Sequence, residues 1–249
     1  MEIITIKNQH KLYIPALLLV LLTLTSGSIH AGEHRYSVSY MKIPVLNVSI
    51  SSNIQGDVWT GRYQASIKSA FSYIYDINNI YEIRAEPNTW YPLEYVKRIN
   101  EGKHHETQRF TYNLSRNSLT LPTGASVPFP GGTHSLFSSM LWAQHHNWTV
   151  GESKEMNVEI DGRRWRISLH CIESATLRNY GEPAQTQLVE AKFIEPVGGK
   201  TMDRRTDYLS ANIAAKGRVL RFWIDTDKDL IYQIFVPMGP FSVKAKLKR

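Results

Sequence analysis

From Tyr36 onward, apolar residues recur at every second position far more often than at helical spacing, and this alternation restricts most of the chain to strands with one buried face. Tyr36, Val38 and Tyr40 alternate in RYSVSY, Leu46, Val48 and Ile50 in VLNVSI, and Tyr63, Ala65 and Ile67 in RYQASIK. Further strand patterns are PLEYVKRI, TQRFTYNL, EMNVEI, RRWRISLHCI, TQLVEAKFI, RVLRFWI, DLIYQIFV and FSVKAKL. EMNVEI and RRWRISL are separated only by Asp161 and Gly162, a pair that tolerates the positive φ angles of a type I′ turn, so the two segments should form a hairpin. Only THSLFSSMLWAQHH has helical spacing, through Leu136, Phe137, Met140 and Leu141, with Thr133 or Ser135 placed to cap it. The expected fold is mainly β: a single curved, largely antiparallel sheet, forming an open barrel or half-barrel or alternatively a sandwich, with one packed helix.

The N-terminus follows a different rule. Lys7 and Lys11 precede an uncharged run from Tyr13 to Thr25, and small residues follow at once in SGSIHAG. That order matches a signal peptide, and the run is shorter than the roughly 18 to 20 residues of a membrane span. Cleavage is expected after Ala31, with Ser28 as the alternative, giving a signal peptide over residues 1–31 and a single β-rich domain over 32–249. Cys171 is the only cysteine, so the domain has no internal disulfide and no multi-cysteine metal cluster, and its core must hold it together unaided. The formal charge of +7 is spread along the chain apart from GRRWR and KAKLKR. Both segments alternate in the manner of a strand with one solvated face, which is favoured over a phosphate-binding patch, and no nucleic-acid partner is expected.

The chemical motifs are weak. A calcium loop beginning at Asp225 matches at Asp227 and Asp229 but has Leu230 and Val236 where glycine and a bidentate glutamate are required, so DTDKD reads as a hairpin turn. The pairs His104–His105 and His145–His146 are adjacent and diverge, which does not suit a shared metal; with His134 and His170 they read as exposed polar residues. Cys171 and His170 fall on opposite faces of a strand, leaving a buried, inert thiol. Asp203 and Asp207 lie beside Arg204 and Arg205 in what reads as a solvated loop. No catalytic residue, metal or cofactor is expected.

Several segments taken in order carry a resemblance: GEHRYSVSY, YPLEYVKRINEG, VPFPGGTHSLFSSMLW and LRFWIDTDKDLIYQIFVPMGPFSVKAKL. Together, from about Gly32 to Leu247, the chain resembles the bacterial exported family known as domain of unknown function 3108. It departs from the family pattern at His134, where an aspartate often precedes the helix, and at Tyr232 or Gln233, where a proline is common. The resemblance implies an exported β-rich protein of Gram-negative envelopes and no established activity. Periplasmic location is therefore expected, with association to the outer membrane left open and no membrane span once the signal is removed. The functional expectation is non-enzymatic binding of a lipid or other envelope amphiphile between sheet and helix, lined by Leu136, Phe137, Met140, Leu141 and Trp142 and gated by the PFPGGT segment, or contact with an envelope protein. The alternative is a hydrolase acting on envelope polymers through dispersed residues. Intact mass of protein recovered from the periplasm of a bacterial host should correspond to a chain beginning near Gly32; a full-length mass in the membrane fraction would replace the cleaved signal with an anchor.

Overall fold

The computed structural model describes residues 32–71, 76–179, 182–199, 207–238 and 241–248; the signal segment, its cleavage positions and Asp203 lie outside them. The strands are β1 (Gly32–Tyr40), β2 (Ile43–Gln55), β3 (Val58–Ile67), β4 (Asn78–Ala85), β5 (Pro92–Glu101), β6 (His104–Asn113), β7 (Ser118–Thr120), β8 (Ser126–Pro128), β9 (Thr133–Ser135), β10 (Ser153–Ile160), β11 (Arg163–Asn179), β12 (Glu182–Gly199), β13 (Val219–Asp225), β14 (Leu230–Met238) and β15 (Phe241–Lys248). Among the described residues two α-helices interrupt them, α1 (Leu136–His145) and α2 (Tyr208–Ile213), with one 3-10 turn at Ser69–Phe71. All the strands belong to one open sheet ordered β8-β7-β6-β5-β4-β3-β2-β1-β15-β14-β13-β12-β11-β10-β9, antiparallel throughout except for the parallel pair β9–β10. Its two edges are nearly consecutive in sequence: Pro128 ends β8 and Thr133 begins β9. Five Cα steps reach at most about 19 Å, so the sheet must curl until its edges approach one another. The expected curved, largely antiparallel sheet is the one observed.

The curl creates an inside. One cluster of buried residues gathers Trp59, Tyr63, Tyr81, Ile83, Tyr95, Phe110 and Tyr112 from β3–β6, and a second gathers Val158, Ile167, Leu169, Val189, Phe193, Leu220 and Phe222 from β10–β13. Helix α1 lies between them, giving Leu136 and Ala143 to the second cluster and Phe137 and Leu141 to the first, while Met140 and Trp142 pack against both. The sequence reads as an amphipathic helix resting one stripe on a sheet; the helix is instead buried all round over Leu136–Ser139 and opens to solvent only towards His145. Its polar residues are satisfied locally, which permits that burial. Ser135 caps the helix, accepting from Ser138 N at 3.3 Å while Ser138 Oγ accepts from Ser135 N at 2.8 Å, and Ser139 Oγ donates to the Leu136 carbonyl at 2.7 Å.

Local features follow the expected chemistry at most places. The Asp161–Gly162 loop has φ of 53° and 86° and joins Ile160 to Arg163, as a type I′ turn requires. Asp225 Oδ1 accepts from the N–H groups of Asp227 and Lys228 at 2.9 and 3.1 Å, which makes DTDKD the turn between β13 and β14. Strand β4 lies outside the expected set, because Ile80 on its outward face and Asn79 on its inward face blur the alternation of Tyr81, Ile83 and Ala85. Gly61 in β3 has a packing role: a Cβ there would stand 2.1 Å from the Trp59 ring, which folds over the bare backbone. Substituting Gly162→Val should lower stability by about 1 to 3 kcal/mol, since a β-branched side chain is strained at positive φ; the urea midpoint reads this directly, and an unchanged midpoint would remove the turn assignment.

Candidate functional site

Strand β5 presents Tyr95, Lys97, Ile99 and Glu101 to the interior, so a lysine takes a core position. Lys97 is 0% exposed and is closed on every side by partners. Its Nζ donates to Asp161 of the β10–β11 turn, to Asp207 at 2.7 Å and to Ser210 Oγ at 3.0 Å. Asp207 is itself fully buried and caps α2, accepting from Ser210 N at 2.9 Å and Ser210 Oγ at 3.0 Å, while Tyr81 donates to it at 3.1 Å. This corrects the solvated-loop expectation for Asp207: it is buried against Lys97, far away in sequence. A second crossing lies beside the first, where Tyr112 of β6 donates to Glu159 of β10 at 2.7 Å and Gly162 N donates to the other oxygen of the same carboxylate at 2.5 Å. Asn79 extends the network, donating to Glu101 at 2.6 Å and to Tyr81 at 3.1 Å.

The electrostatics of this network favour permanence over reactivity. Burial opposes charge on Lys97, but Asp207 and Asp161 outweigh it and hold the ammonium above its usual range. Burial likewise opposes charge on Asp207, and Lys97 with the Ser210 donors prevails, lowering it. Glu159 is pushed up to about 7, chiefly by burial, with the bonds from Gly162 and Tyr112 resisting. A buried lysine held cationic by two carboxylates is neither a base nor a nucleophile.

The sequence-derived site residues fall elsewhere. Phe137 is enclosed by Tyr63, Tyr81 and Tyr95 with ring centroids 4.7, 5.3 and 5.6 Å away, and Leu136 and Leu141 are buried. Trp142 stacks on His146 at 4.6 Å and meets Trp148 edge-on at 6.0 Å. Beneath Leu136 and Met140 the space left against the sheet measures about 20 Å³, the size of one water. The histidines divide. His145 stacks on Trp90 at 4.5 Å, His146 meets Glu152 at 3.0 Å, and His170 is exposed against Ser153. His134 corrects the exposed reading, being 5% exposed and lying 3.2 Å from the Trp90 carbonyl; burial lowers it to about 4, against that hydrogen bond. Cys171 is buried, as alternation indicates, and burial raises its thiol. Among the described residues no three His, Cys, Asp or Glu side chains are grouped to hold a metal.

The larger depression is on the opposite face of the sheet. Pairing places Ser51 and Asn53 of β2, Thr60 and Arg62 of β3, Glu82 and Arg84 of β4, Glu94 and Val96 of β5 and Arg109 of β6 around an open groove of about 380 Å³. Glu82 accepts from Arg62 at 2.7 Å and Arg98 at 2.5 Å, and Arg109 pairs with Glu94. Val96, which faces outward, is only 3% exposed because these side chains close over it. Arg84 makes no ion pair among the described residues.

Glu159 gives the buried network a pH signature. Between its ordinary 4.5 and about 7, the folded protein holds a proton on Glu159 that the unfolded chain has lost. Its stabilising contribution is therefore full below pH 4.5 and is lost as pH rises through about 7. Glu159→Gln should thus gain on the wild type by about 3 kcal/mol in unfolding free energy across that window; parallel pH profiles of the two urea midpoints would show that the carboxyl ionises normally.

Comparison with known proteins adds the fold and the family. A β-barrel-like protein of domain of unknown function DUF1849 from Brucella abortus superimposes with a TM-score of 0.58 at 10% identity, over 89% of this chain and 98% of that one. A DUF1089 family protein from Pseudomonas aeruginosa aligns with a TM-score of 0.37 at 11% identity, over 64% of this chain and 92% of that one. No curated protein matches the chain. The model of the family described as "Protein of unknown function (DUF3108)" matches residues 35–248, nearly the whole chain, and the protein belongs to that family.

Proposed function

We propose that the protein is an exported, non-catalytic component of the bacterial envelope that works by binding, and that its ligand sits on the outside of the sheet. The observation that carries this reading is the contrast in space: about 380 Å³ in the outer groove against about 20 Å³ beside α1. A ligand of even modest size needs several hundred Å³. The groove is lined by hydroxyls, amides and guanidinium groups, which suits a polar molecule bearing an anionic group, such as an acidic envelope saccharide. Arg84 is the anchor, because its neighbours Arg62 and Arg109 already hold carboxylates. Export is supported by the order of charge, apolar run and small residues over positions 1–31.

Chemistry is a poor match for the same residues. The buried lysine and carboxylates neutralise one another beyond the reach of a substrate, and the surface carboxylates Glu82 and Glu94 are engaged by arginines. Native mass spectrometry of gently purified protein, followed by titration with acidic oligosaccharides, tests the proposal. Arg84→Ser should weaken saccharide binding by about tenfold while leaving the urea midpoint in place. A co-purifying lipid whose retention falls in Met140→Gln, with no saccharide response, would move the site back to the interior beneath α1.

A further inference from the structure

Among the described residues, three of the six exposed large apolar side chains stand together in one turn. Tyr40, Met41 and Ile43 are 37, 50 and 54% exposed, and Lys42 and Pro44 between and beside them are exposed too. Tyr40 pairs with Ile43, so Met41 and Lys42 form a two-residue loop joining β1 to β2, with φ of 50° and 70°. Such loops select glycine, asparagine or aspartate, because other side chains are strained there. The same sheet obeys that rule elsewhere: Gly56 sits in the β2–β3 loop, Gly102 in the β5–β6 loop and Gly162 in the β10–β11 loop. Strain kept at an exposed position, with an apolar and a cationic side chain displayed by it, points to a surface that uses those side chains.

The surroundings identify the surface. From His34 to Gln55 the chain has Arg35 and Lys42 and no acidic residue; β14 has none, and β15 has Lys244, Lys246 and Lys248 and none. Lys244 pairs with Ser39 and Lys246 with Ser37, on the face opposite buried Tyr36 and Val38, so both lysines lie outside. Met41 N donates to the Ser242 carbonyl at 3.1 Å, which ties the tip to β15, and Lys68 N donates to Val45 O at 2.9 Å, which brings another cation to the same end. At about 3.4 Å per residue, Lys244 stands about 7 Å behind the tip and Lys246 about 14 Å. A Debye length is about 8 Å at physiological salt, so Lys42 and Lys244 act on whatever the tip touches. An apolar, aromatic point backed by cations, with no carboxylate between His34 and Gln55 or on β14 or β15, fits the headgroup region of a bilayer containing anionic lipid.

We propose that the β1–β2 tip docks the protein peripherally on an anionic bilayer surface, with Met41, Ile43 and Tyr40 entering the interface and Lys42 and Lys244 meeting headgroup phosphates. This docking is independent of the outer groove and would stand if the groove bound nothing.

Two substitutions make the tip an ordinary turn: Met41→Asn with Lys42→Gly. Because Asn-Gly suits the observed φ angles, the double variant should be at least as stable as the wild type, so a loss of binding cannot be blamed on misfolding. Protein expressed as the full chain and recovered from the periplasm is floated with vesicles of phosphatidylglycerol and phosphatidylethanolamine, and with phosphatidylcholine alone. The wild type is expected to float with the anionic vesicles, less so at high salt, and to stay behind with phosphatidylcholine. The double variant should partition about tenfold less, with a urea midpoint equal or higher, and Ile43→Ser should lose several-fold. Wild type that ignores anionic vesicles, or a double variant that floats equally well, overturns the proposal; binding only to acidic proteins would assign the tip to a protein partner instead.

Discussion

The ion cluster around Lys97 ties one half of the curled sheet to the other across its interior. A sheet of fifteen strands has no edge-to-edge hydrogen bonds to close it, since β8 and β9 are joined by a short connection and not by a ladder. The short connection and α1 draw the halves together, and Lys97 fixes β5 against β10 and β11 by meeting Asp161 in the β10–β11 turn and Asp207 at the start of α2. Burying three charges is costly, and an apolar trio of similar volume would often be at least as stable. The pairing supplies what oil cannot, a specified partner. Any other curvature would strand Lys97 or a carboxylate without its counterion, at a cost of about 3 to 5 kcal/mol. Tyr112 and Glu159 repeat the device on the neighbouring strand, which fixes the rotation as well as the distance.

With the two halves held, α1 becomes filling. Its residues belong to both apolar clusters, its cap is internal, and the remaining void has room for a single water. A core closed in this way is unsuited to turnover, because substrates must reach the groups that transform them. The ionisable side chains inside agree. A catalytic lysine needs access and a lowered pKa, whereas Lys97 is sealed and raised. His134 is held neutral beside the Trp90 carbonyl, so it titrates well below the range in which a histidine moves protons usefully.

How much of this was legible in the sequence depends on the range of the physics involved. The alternation of Tyr36 and Val38, the Asp161–Gly162 turn, the helix over Leu136–His145 and the Asp225 turn are local, and local rules find them. The cluster is not local. YVKRIN reads as a strand whichever face it buries, yet Tyr95, Lys97 and Ile99 share one phase, and a lysine between two apolar residues of the buried phase was the available signal. Asp207 had a signal too, since aspartate three residues before Ser210 is an N-cap pattern, but the four charges of MDRRTD suggested solvent. The outer groove left no trace, because five strands contribute a residue or two each and only the register aligns them.

The edges of the sheet decide which surfaces remain for recognition. An open sheet offers unpaired backbone at each end, and long edges invite a partner strand. Here both edges are three residues long, β8 finishes on Pro128, and β9 is covered on its inner side by the start of α1 with Thr133, His134 and Ser135 all buried. The longer strands behind them are only partly covered, since β7 pairs with Thr111–Asn113 of β6 and β10 with Arg163–His170 of β11. With the interior filled, the surfaces left to the proposed binding roles are the convex face and the rims of the sheet. Those are where the unusual chemistry stands: Arg84 without a carboxylate partner in the groove, and Met41 with Lys42 in a turn where the other two-residue hairpins carry glycine. Buried charges in this protein are matched with partners; the exposed features that break local rules are not. Such unmatched positions are where both proposals place function.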